Sequence, residues 1–395
     1  MQDIKTVYYI GNFDKPEQNA AGKRVYGNAL IFEKLGYKVI LIGKSKDEQC
    51  KISPDKYGKS IFFYSFPDCS VVRVFTYIKY LSNLINREGE PCMIVRYGSP
   101  GLAIFDYALL KFCKKHKYPV VADVVDWLSS NGNNLFFDII KTMDTFLEKA
   151  IFNRKSDGVI TIGTYLANYY KTHGCRNVLI IPPIAEKYKG DFRIPSAETV
   201  NIVYAGIPFR LGKRIKSPDE VKDRLDLAVL ALAGVNESVV FNIYGLTQKE
   251  YLTAYPDHDS IIKKKSDCFL FHGKKSMETV QNAVNQGDLT ILLRNKKRST
   301  NAGFPTKVVE SLTCGTPVIT TDTSDLRKYI LPGRNGFIVK IDDLQGLQIQ
   351  LDNAIRYYKQ HRKEMRENCI TDEHFMPDRY TELLRDFLKK IRDTT

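Results

Sequence analysis

Thr306, Lys307 and Glu310 set a hydroxyl, an ammonium and a carboxylate within about one helical turn, Glu310 lying three and four residues beyond the other two. Gly303, just upstream, lets a ligand approach the backbone closely, and Arg294 brings a second cation. A helix opening here would offer unpaired N–H groups, which favour an anion. Glu310, deeper in, would repel a phosphate but accept hydrogen bonds from a ribose diol. Diphosphate at the mouth and ribose beside the carboxylate together describe a nucleoside-diphosphate ligand. The plain alternative is an ordinary surface ion pair between Lys307 and Glu310, with Gly303 ending a turn.

The elements that would carry these side chains are legible on either side. Asp288–Leu293 and Pro317–Thr321 are short apolar runs suited to buried parallel strands. Between them lie a polar loop, Asn295–Phe304, and a helix opened by Pro305 and closed by Gly315. Val308, Val309 and Leu312 fall on one side of that helix and would face a sheet. The polar residues fall on the other side, at the carboxyl end of a strand, where open α/β sheets bind ligands.

The stretch AGFPTKVVESLTCGTPVITTDTSDLRKYI followed by PGRNGFIV resembles the donor-site signature of retaining GT-B glycosyltransferases, glycosyltransferase family 4. The resemblance implies an α/β GT-B fold, with two Rossmann-like parallel-sheet domains facing a cleft and a C-terminal helix crossing back to the first. It implies transfer of a sugar from a nucleoside-diphosphate sugar to an acceptor hydroxyl, with retention and an oxocarbenium-like transition state. In the family's Glu-x7-Glu element, Glu310 matches the second glutamate, which holds the ribose, and the first falls at Ala302. The backbone over Gly303, Phe304, Pro305 and Thr306, donating through every N–H but the one that proline lacks, would with Lys307 serve the diphosphate and sugar.

The chain has 395 residues, enough for two cores, with 43% hydrophobic and 26% charged residues, a globular composition. Its net charge of +14 favours anionic partners: nucleotides, nucleic acid or an anionic membrane face. The eight cysteines lack paired or zinc-finger spacing and read as reduced thiols in the cytoplasm. No apolar segment near Met1 resembles a signal peptide and no apolar run reaches roughly 18 residues, so neither a leader nor a spanning helix is expected. The expected location is cytoplasmic, with the inner face of the cell membrane as the alternative. The domain reading is 1–188 with 375–395 for acceptor binding and 189–374 for donor binding.

Along the first half, Thr6–Ile10, a loop to Gly22, a helix Lys23–Leu35 and Lys38–Ile42 form a βαβ unit without a G-x-G-x-x-G. The resemblance puts Gly22, Lys23 and Arg24 at a helix mouth facing the donor. A helix Val71–Asn86 presents Arg73, Tyr77, Lys79 and Tyr80, which reads as an anionic-membrane contact or as core with snorkelling lysine. Pro119–Val125 is a buried strand delivering Asp123 and Asp126; Asp126 would position an acceptor hydroxyl or take its proton, and Asp123 would brace a loop. A helix is expected over Asn133–Asn153.

In the second half a βα series starts at Asn201–Gly206. The resemblance places a basic pair after Gly206: Arg210, at the start of an apparent insertion over 210–221, is the candidate for the arginine, with Lys213, Arg214 and Lys216 as alternatives, and Lys222, just beyond the insertion, matches the family lysine. Gly245 ends the next strand, where family members bind the base. Asp257-His258-Asp259 has the D-x-D spacing of a metal motif but loop-like surroundings, so no metal and no resident cofactor are expected. Lys222, Arg294 and Lys307 would then neutralise the leaving diphosphate. The last helix, His374–Arg392, is amphipathic. The partners expected are a nucleotide-sugar donor and a glycan or lipid-linked acceptor. Rival readings are a nucleotide-sugar epimerase, a catalytically silent scaffold motivated by Ala302, and a nucleic-acid-binding protein; for the last, lysine and arginine are too evenly spread to make one basic face.

Overall fold

The computed structural model describes residues 4–16, 19–44, 55–66, 74–98, 103–127, 143, 145–190, 194 and 198–394. Arg73 and most of the expected 133–153 helix lie outside the described residues. The chain divides into two compact units, Met1–Ala185 with Ala302–Phe304 and Phe375–Thr395, and Glu186–Asn301 with Pro305–His374.

In the first unit the described strands are β1 (Thr6–Gly11), β2 (Lys38–Lys44), β3 (Asp55–Lys56), β4 (Ile61–Phe66), β5 (Cys92–Tyr97), β6 (Val120–Val124), β7 (Gly158–Thr161) and β8 (Val178–Ile180). They form one sheet in the order β3-β4-β2-β1-β5-β6-β7-β8, parallel except for β3. Every residue of β1 is buried, as a central strand covered on both faces requires. Its neighbours are β2 and β5, so the direction of strand addition reverses at β1 and β5. The helices among the described residues are α1 (Ala20–Lys34), α2 (Val74–Glu88), α3 (Ala103–His116) and α4 (Thr164–Thr172), with a π-helical turn over Glu148–Asn153. Helix α1 starts three residues before the expected Lys23 because the Asn19 side chain accepts the Gly22 N–H at 2.8 Å and caps it there. Tyr77 is buried against Phe66 and Phe105, as the core alternative for that residue requires.

The second unit holds β9 (Val200–Ala205), β10 (Val239–Tyr244), β11 (Phe269–Gly273), β12 (Leu289–Leu292), β13 (Val318–Thr321) and β14 (Gly336–Val339). Among the described residues they make a six-stranded parallel sheet in the order β11-β10-β9-β12-β13-β14, reversing between β9 and β12. The Asp288 carboxylate accepts the Asn201 N–H at 2.8 Å and ties those two strands at their start. Its helices are α5 (Leu225–Ala233), α6 (Gln248–Ala254), α7 (Asp259–Lys264), α8 (Met277–Gln286), α9 (Arg298–Ala302), α10 (Thr306–Thr313) and α11 (Leu344–Thr371). Helix α9 is a short turn inside what reads in sequence as an unbroken loop. Helix α10 has Pro305 as its N-cap rather than its first residue. It ends as expected at Gly315, whose φ of 75° lets Gly315 N–H reach Leu312 O and Thr316 N–H reach Ser311 O.

The last helix, α12 (Thr381–Thr394), belongs to the first unit. Leu384, Phe387, Leu388 and Ile391 join the core of Val7, Val121 and Ile160. Gly158 makes room for this: a Cβ there would stand 2.5 Å from the Phe387 ring. Among the described residues no helix is long and apolar enough to cross a membrane.

Candidate functional site

A buried charge cluster occupies the carboxyl ends of β9 and β12, where the strand order of the second unit reverses. Tyr204 comes from the end of β9, Asp223 from the segment leading into α5, Arg294 from just beyond β12, and Lys307 from the first turn of α10. Backbone bonds hold the 222–224 segment in place, from Lys222 N–H to Pro208 O at 3.1 Å and from Arg224 N–H to Leu293 O at 2.7 Å. Asp223 is then gripped on both oxygens. Arg294 Nε donates to Oδ1 at 2.7 Å, Tyr204 O–H donates to Oδ2 at 2.9 Å, and Lys307 Nζ also donates to Oδ2. Lys307 Nζ lies 3.1 Å from the Tyr204 oxygen and 4.5 Å from its ring centroid.

The side chains of Asp223 and Arg294 are 3% and 7% exposed, and that of Lys307 is 26% exposed. Burial would raise the Asp223 carboxyl, but Lys307 and Arg294 overcome it and hold the group well below the usual carboxylate range. Burial lowers the Lys307 ammonium, Asp223 opposes that, and the positive charges of Arg294 and Lys222 lower it further. The cluster is therefore two cations on one carboxylate, with the ammonium its most open member. Such a group would gain from an incoming anion.

Two glycines fit the backbone to this cluster. A Cβ at Gly206, whose φ is 148°, would stand 2.2 Å from Lys307 Nζ. A Cβ at Gly245, with φ 111°, would stand 2.5 Å from the Gly206 carbonyl oxygen. The ends of β9 and β10 thus lie closely against each other and against Lys307. No side chain caps the start of α10. Lys222 and Arg210 are exposed, Thr306 and Glu310 half-exposed. Lys307 turns to Asp223 rather than to Glu310, so the sequence alternative of a simple surface pair between them is not what forms.

The remaining expected site residues are placed differently. Gly22 lies inside the first turn of α1 with its N–H bound to Asn19, and a Cβ there would stand 2.5 Å from Lys15 O. Its absent side chain serves packing, so a free amide facing a donor is not available at Gly22. Arg24 is likewise no solvated mouth residue: it is buried, with Nη2 on Asp123 at 2.8 Å and Nη1 on the carbonyls of Ile181 and Pro182. Asp123 braces this cluster together with Tyr9 and Asn28. Asp126 is exposed beyond β6, its Oδ1 accepting the Trp127 N–H at 2.7 Å. Gly303 is half-exposed and Pro305 buried. Phe304 is buried with its ring 5.9 Å from that of Phe375, and Ala302 is 1% exposed. Asp257 pairs with Arg214 and Asp259 with Lys263. Among the described residues no group of three His, Cys, Asp or Glu could hold a metal ion.

Asp223 and Tyr204 escaped the sequence reading. The available signal was the carboxylate adjoining Lys222 in KDRLD and the tyrosine one residue before the end of a mostly apolar strand, VNIVYA.

Sequence comparison with curated proteins finds no match. Among solved structures, sucrose-phosphate synthase from Thermosynechococcus elongatus aligns with a TM-score of 0.69 at 13% identity, over 99% of this chain and 100% of that one. The Anabaena protein HepE in complex with UDP and glucose aligns at 0.61 and 12% identity, over 98% and 99%. The trehalose 6-phosphate synthase of Burkholderia multivorans aligns at 0.62 and 9%, over 99% of each. At such identities the likeness shows the fold, two Rossmann-like parallel-sheet units of the GT-B kind. Residues 220–372, which include Lys222, Asp223, Arg294, Lys307 and Glu310, match the family model described as Glycosyl transferases group 1, so this part of the second unit is similar to that family.

Proposed function

We propose that the protein is a retaining glycosyltransferase that moves a hexosyl group from a nucleoside-diphosphate sugar to an acceptor hydroxyl. The observation that carries this reading is the Asp223–Arg294–Lys307 cluster at the switch point of the second sheet, inside the stretch that matches the group 1 model. The bond between the sugar's anomeric carbon and the diphosphate oxygen breaks with its electron pair leaving on that oxygen, the acceptor oxygen bonds to the anomeric carbon, and the acceptor's proton passes to the departing phosphate. Lys307 and the exposed Lys222 stabilise that charge beside the start of α10, in the part a metal plays elsewhere. Asp223 and Arg294 hold Lys307 in place from behind. Glu310 accepts the ribose hydroxyls, Gly206 and Gly245 let the nucleotide approach the strand ends, and Asp126 positions the acceptor hydroxyl. The HepE structures contain UDP and UDP-glucose, which supports a nucleotide-sugar donor here.

The acceptor we propose is a growing polysaccharide or lipid-linked glycan at the cytoplasmic face of a membrane. Exposed Phe75, Tyr80, Ile104 and Tyr107 on α2 and α3, with exposed Lys79 and a net charge of +14, support a peripheral contact. Flotation with vesicles containing anionic lipid, lost in Phe75→Asp/Ile104→Asp, tests this contact; no flotation removes it. Buried Ala302 favours one second reading, a nucleotide-sugar-binding protein without turnover. Incubation with nucleoside-diphosphate sugars and acceptor glycans in EDTA separates the two. Release of nucleoside diphosphate above the no-enzyme control supports transfer or hydrolysis, and binding without release supports the silent protein.

A further inference from the structure

We infer that the first unit binds single-stranded nucleic acid on a basic, aromatic surface at the amino ends of β6, β7 and β8. This edge is opposite the carboxyl ends of those strands, and its chemistry is independent of glycosyl transfer. Lysine and arginine are spread along the sequence, but folding gathers six of them here from three connections. Lys114, Lys115 and Lys117 come from the end of α3, Arg154 and Lys155 from the segment before β7, and Arg176 from the segment before β8. Bonds between the connections hold them side by side. Asp157 N–H donates to Val120 O at 2.8 Å, Val159 N–H to Asn177 O at 2.9 Å, and the Asn177 amide to Asp157 O at 3.0 Å. Neighbouring strands are about 4.8 Å apart, so the three connections span about 10 Å.

All six cations are exposed, and among the described residues none of them makes an ion pair. The acid between them, Asp157, is half-buried, and its carboxylate accepts the Val120 N–H at 2.8 Å. Lys114 is near enough to oppose the rise that burial causes in that carboxyl. The last turns of α12, packed at Gly158, add Lys389, Lys390 and Arg392 against Asp386 and Asp393 and leave the sign unchanged. Unpaired cations at this density repel one another and gain from a polyanion laid across them.

Charge alone would take any polyanion, and the rings among the cations narrow the choice. His116 is exposed, its ring stacked on Tyr118 with centroids 5.5 Å apart and planes 12° apart; Phe112 lies 4.7 Å away. A base can extend such a stack, since nucleobases stack on His, Tyr and Phe. Lys117 is a second sign. It stands at φ 56°, in the left-handed position that closes α3, where Tyr118 N–H reaches Cys113 O and Lys117 N–H reaches Lys114 O. Glycine fills the equivalent position after α1 and α4, as Gly36 and Gly174. A lysine there strains the backbone, and such strain clusters where a residue serves a ligand. Among the described residues, none of the exposed large apolar side chains comes from these connections. The surface therefore lacks the anchors with which a protein enters a lipid interface.

The test is fluorescence anisotropy of the full chain with a labelled single strand of about 16 nucleotides, the upper site size for such surfaces. The same sequence as a duplex, inorganic polyphosphate and vesicles containing anionic lipid are the competitors, and excess UDP is added to occupy the second unit. The single strand should bind more tightly than every competitor, weaken as salt rises and be indifferent to UDP. His116→Ala should weaken it about fivefold or more at fixed salt, the value of one stacked base. Lys117→Gly should also weaken it and lower the salt slope by about 0.7, the share of one phosphate contact. The same variant should melt higher than wild type, because glycine relieves the left-handed strain. Weaker binding by a more stable protein cannot come from misfolding. No binding of the single strand at low salt, or its displacement by UDP, would overturn the proposal. So would equal or tighter binding of duplex, polyphosphate or vesicles, or wild-type binding by either variant.

Discussion

Lys222 and Lys307 bear the same charge in opposite settings. Lys222 is exposed, so Lys222→Ala should leave the melting temperature near wild type. If its ammonium stabilises the leaving diphosphate, turnover should fall about 10²- to 10³-fold, the usual cost of one transition-state donor. Measured nucleoside-diphosphate release near the wild-type rate would remove Lys222 from the mechanism. Asp223 is the converse. Asp223→Asn leaves Arg294 and Lys307 without their counter-charge in a buried place, which should cost about 3–5 kcal/mol in urea unfolding at neutral pH. The pH dependence follows from its depressed carboxyl. The stabilisation is complete above the unfolded carboxylate value of about 3.9 and is lost as pH falls toward the lower folded value. Wild type should therefore lose stability through that acid range more steeply than Asp223→Asn. Parallel acid limbs would show that the carboxylate is not gripped as described. Lys222 was legible in sequence because its type and position resemble a family pattern. Asp223 was not, because a pattern records that a residue is charged and not which side of the chain is buried. Only the backbone bonds at Pro208 and Leu293 reveal that Asp223 turns inward.

The elements around this cluster are held to small tolerances, and two glycines set them. Gly245→Ala would put a methyl 2.5 Å from the Gly206 carbonyl and force a side chain into φ 111°, so it should destabilise by roughly 1–3 kcal/mol. Gly206→Ala should act on ligand binding as well, since its methyl would displace the Lys307 ammonium. Denaturant unfolding and nucleotide titration of both variants check this: a Gly206→Ala protein with wild-type stability and affinity would contradict the packing. Strand periods and the Gly315 stop of α10 were legible, as short apolar runs and a glycine in a left-handed cap position are local signals. The start of α1 was not, because glycine normally argues against a helix interior and the Asn19 cap that overrides it lies three residues upstream. The short turn α9 gave no periodicity to read. Its first residues are charged and polar, and five residues do not complete a pattern.

At the scale of the molecule, the two sheets repeat one plan, with polar groups gathered where strand order reverses. The chain's end stabilises its beginning: α12 supplies Phe387 and Ile391 to the core of the first unit. Phe387→Ala, buried at 5% exposure, should cost about 3–5 kcal/mol, read as a lower denaturation midpoint with an unchanged slope. That return of the last helix was foreseeable only through family resemblance, since its amphipathic pattern equally suits a helix closing the second unit. The central claim is that the second unit binds a nucleoside diphosphate through Lys307. The direct measurement is the melting temperature of wild type and Lys307→Met with UDP, GDP, ADP and CMP, in EDTA. The account predicts that one diphosphate raises the wild-type value by about 5–10 °C near 100 times its dissociation constant. It also predicts that Lys307→Met abolishes the shift. A wild-type protein that melts unchanged with every nucleotide, or a variant that shifts as far as wild type, would contradict it.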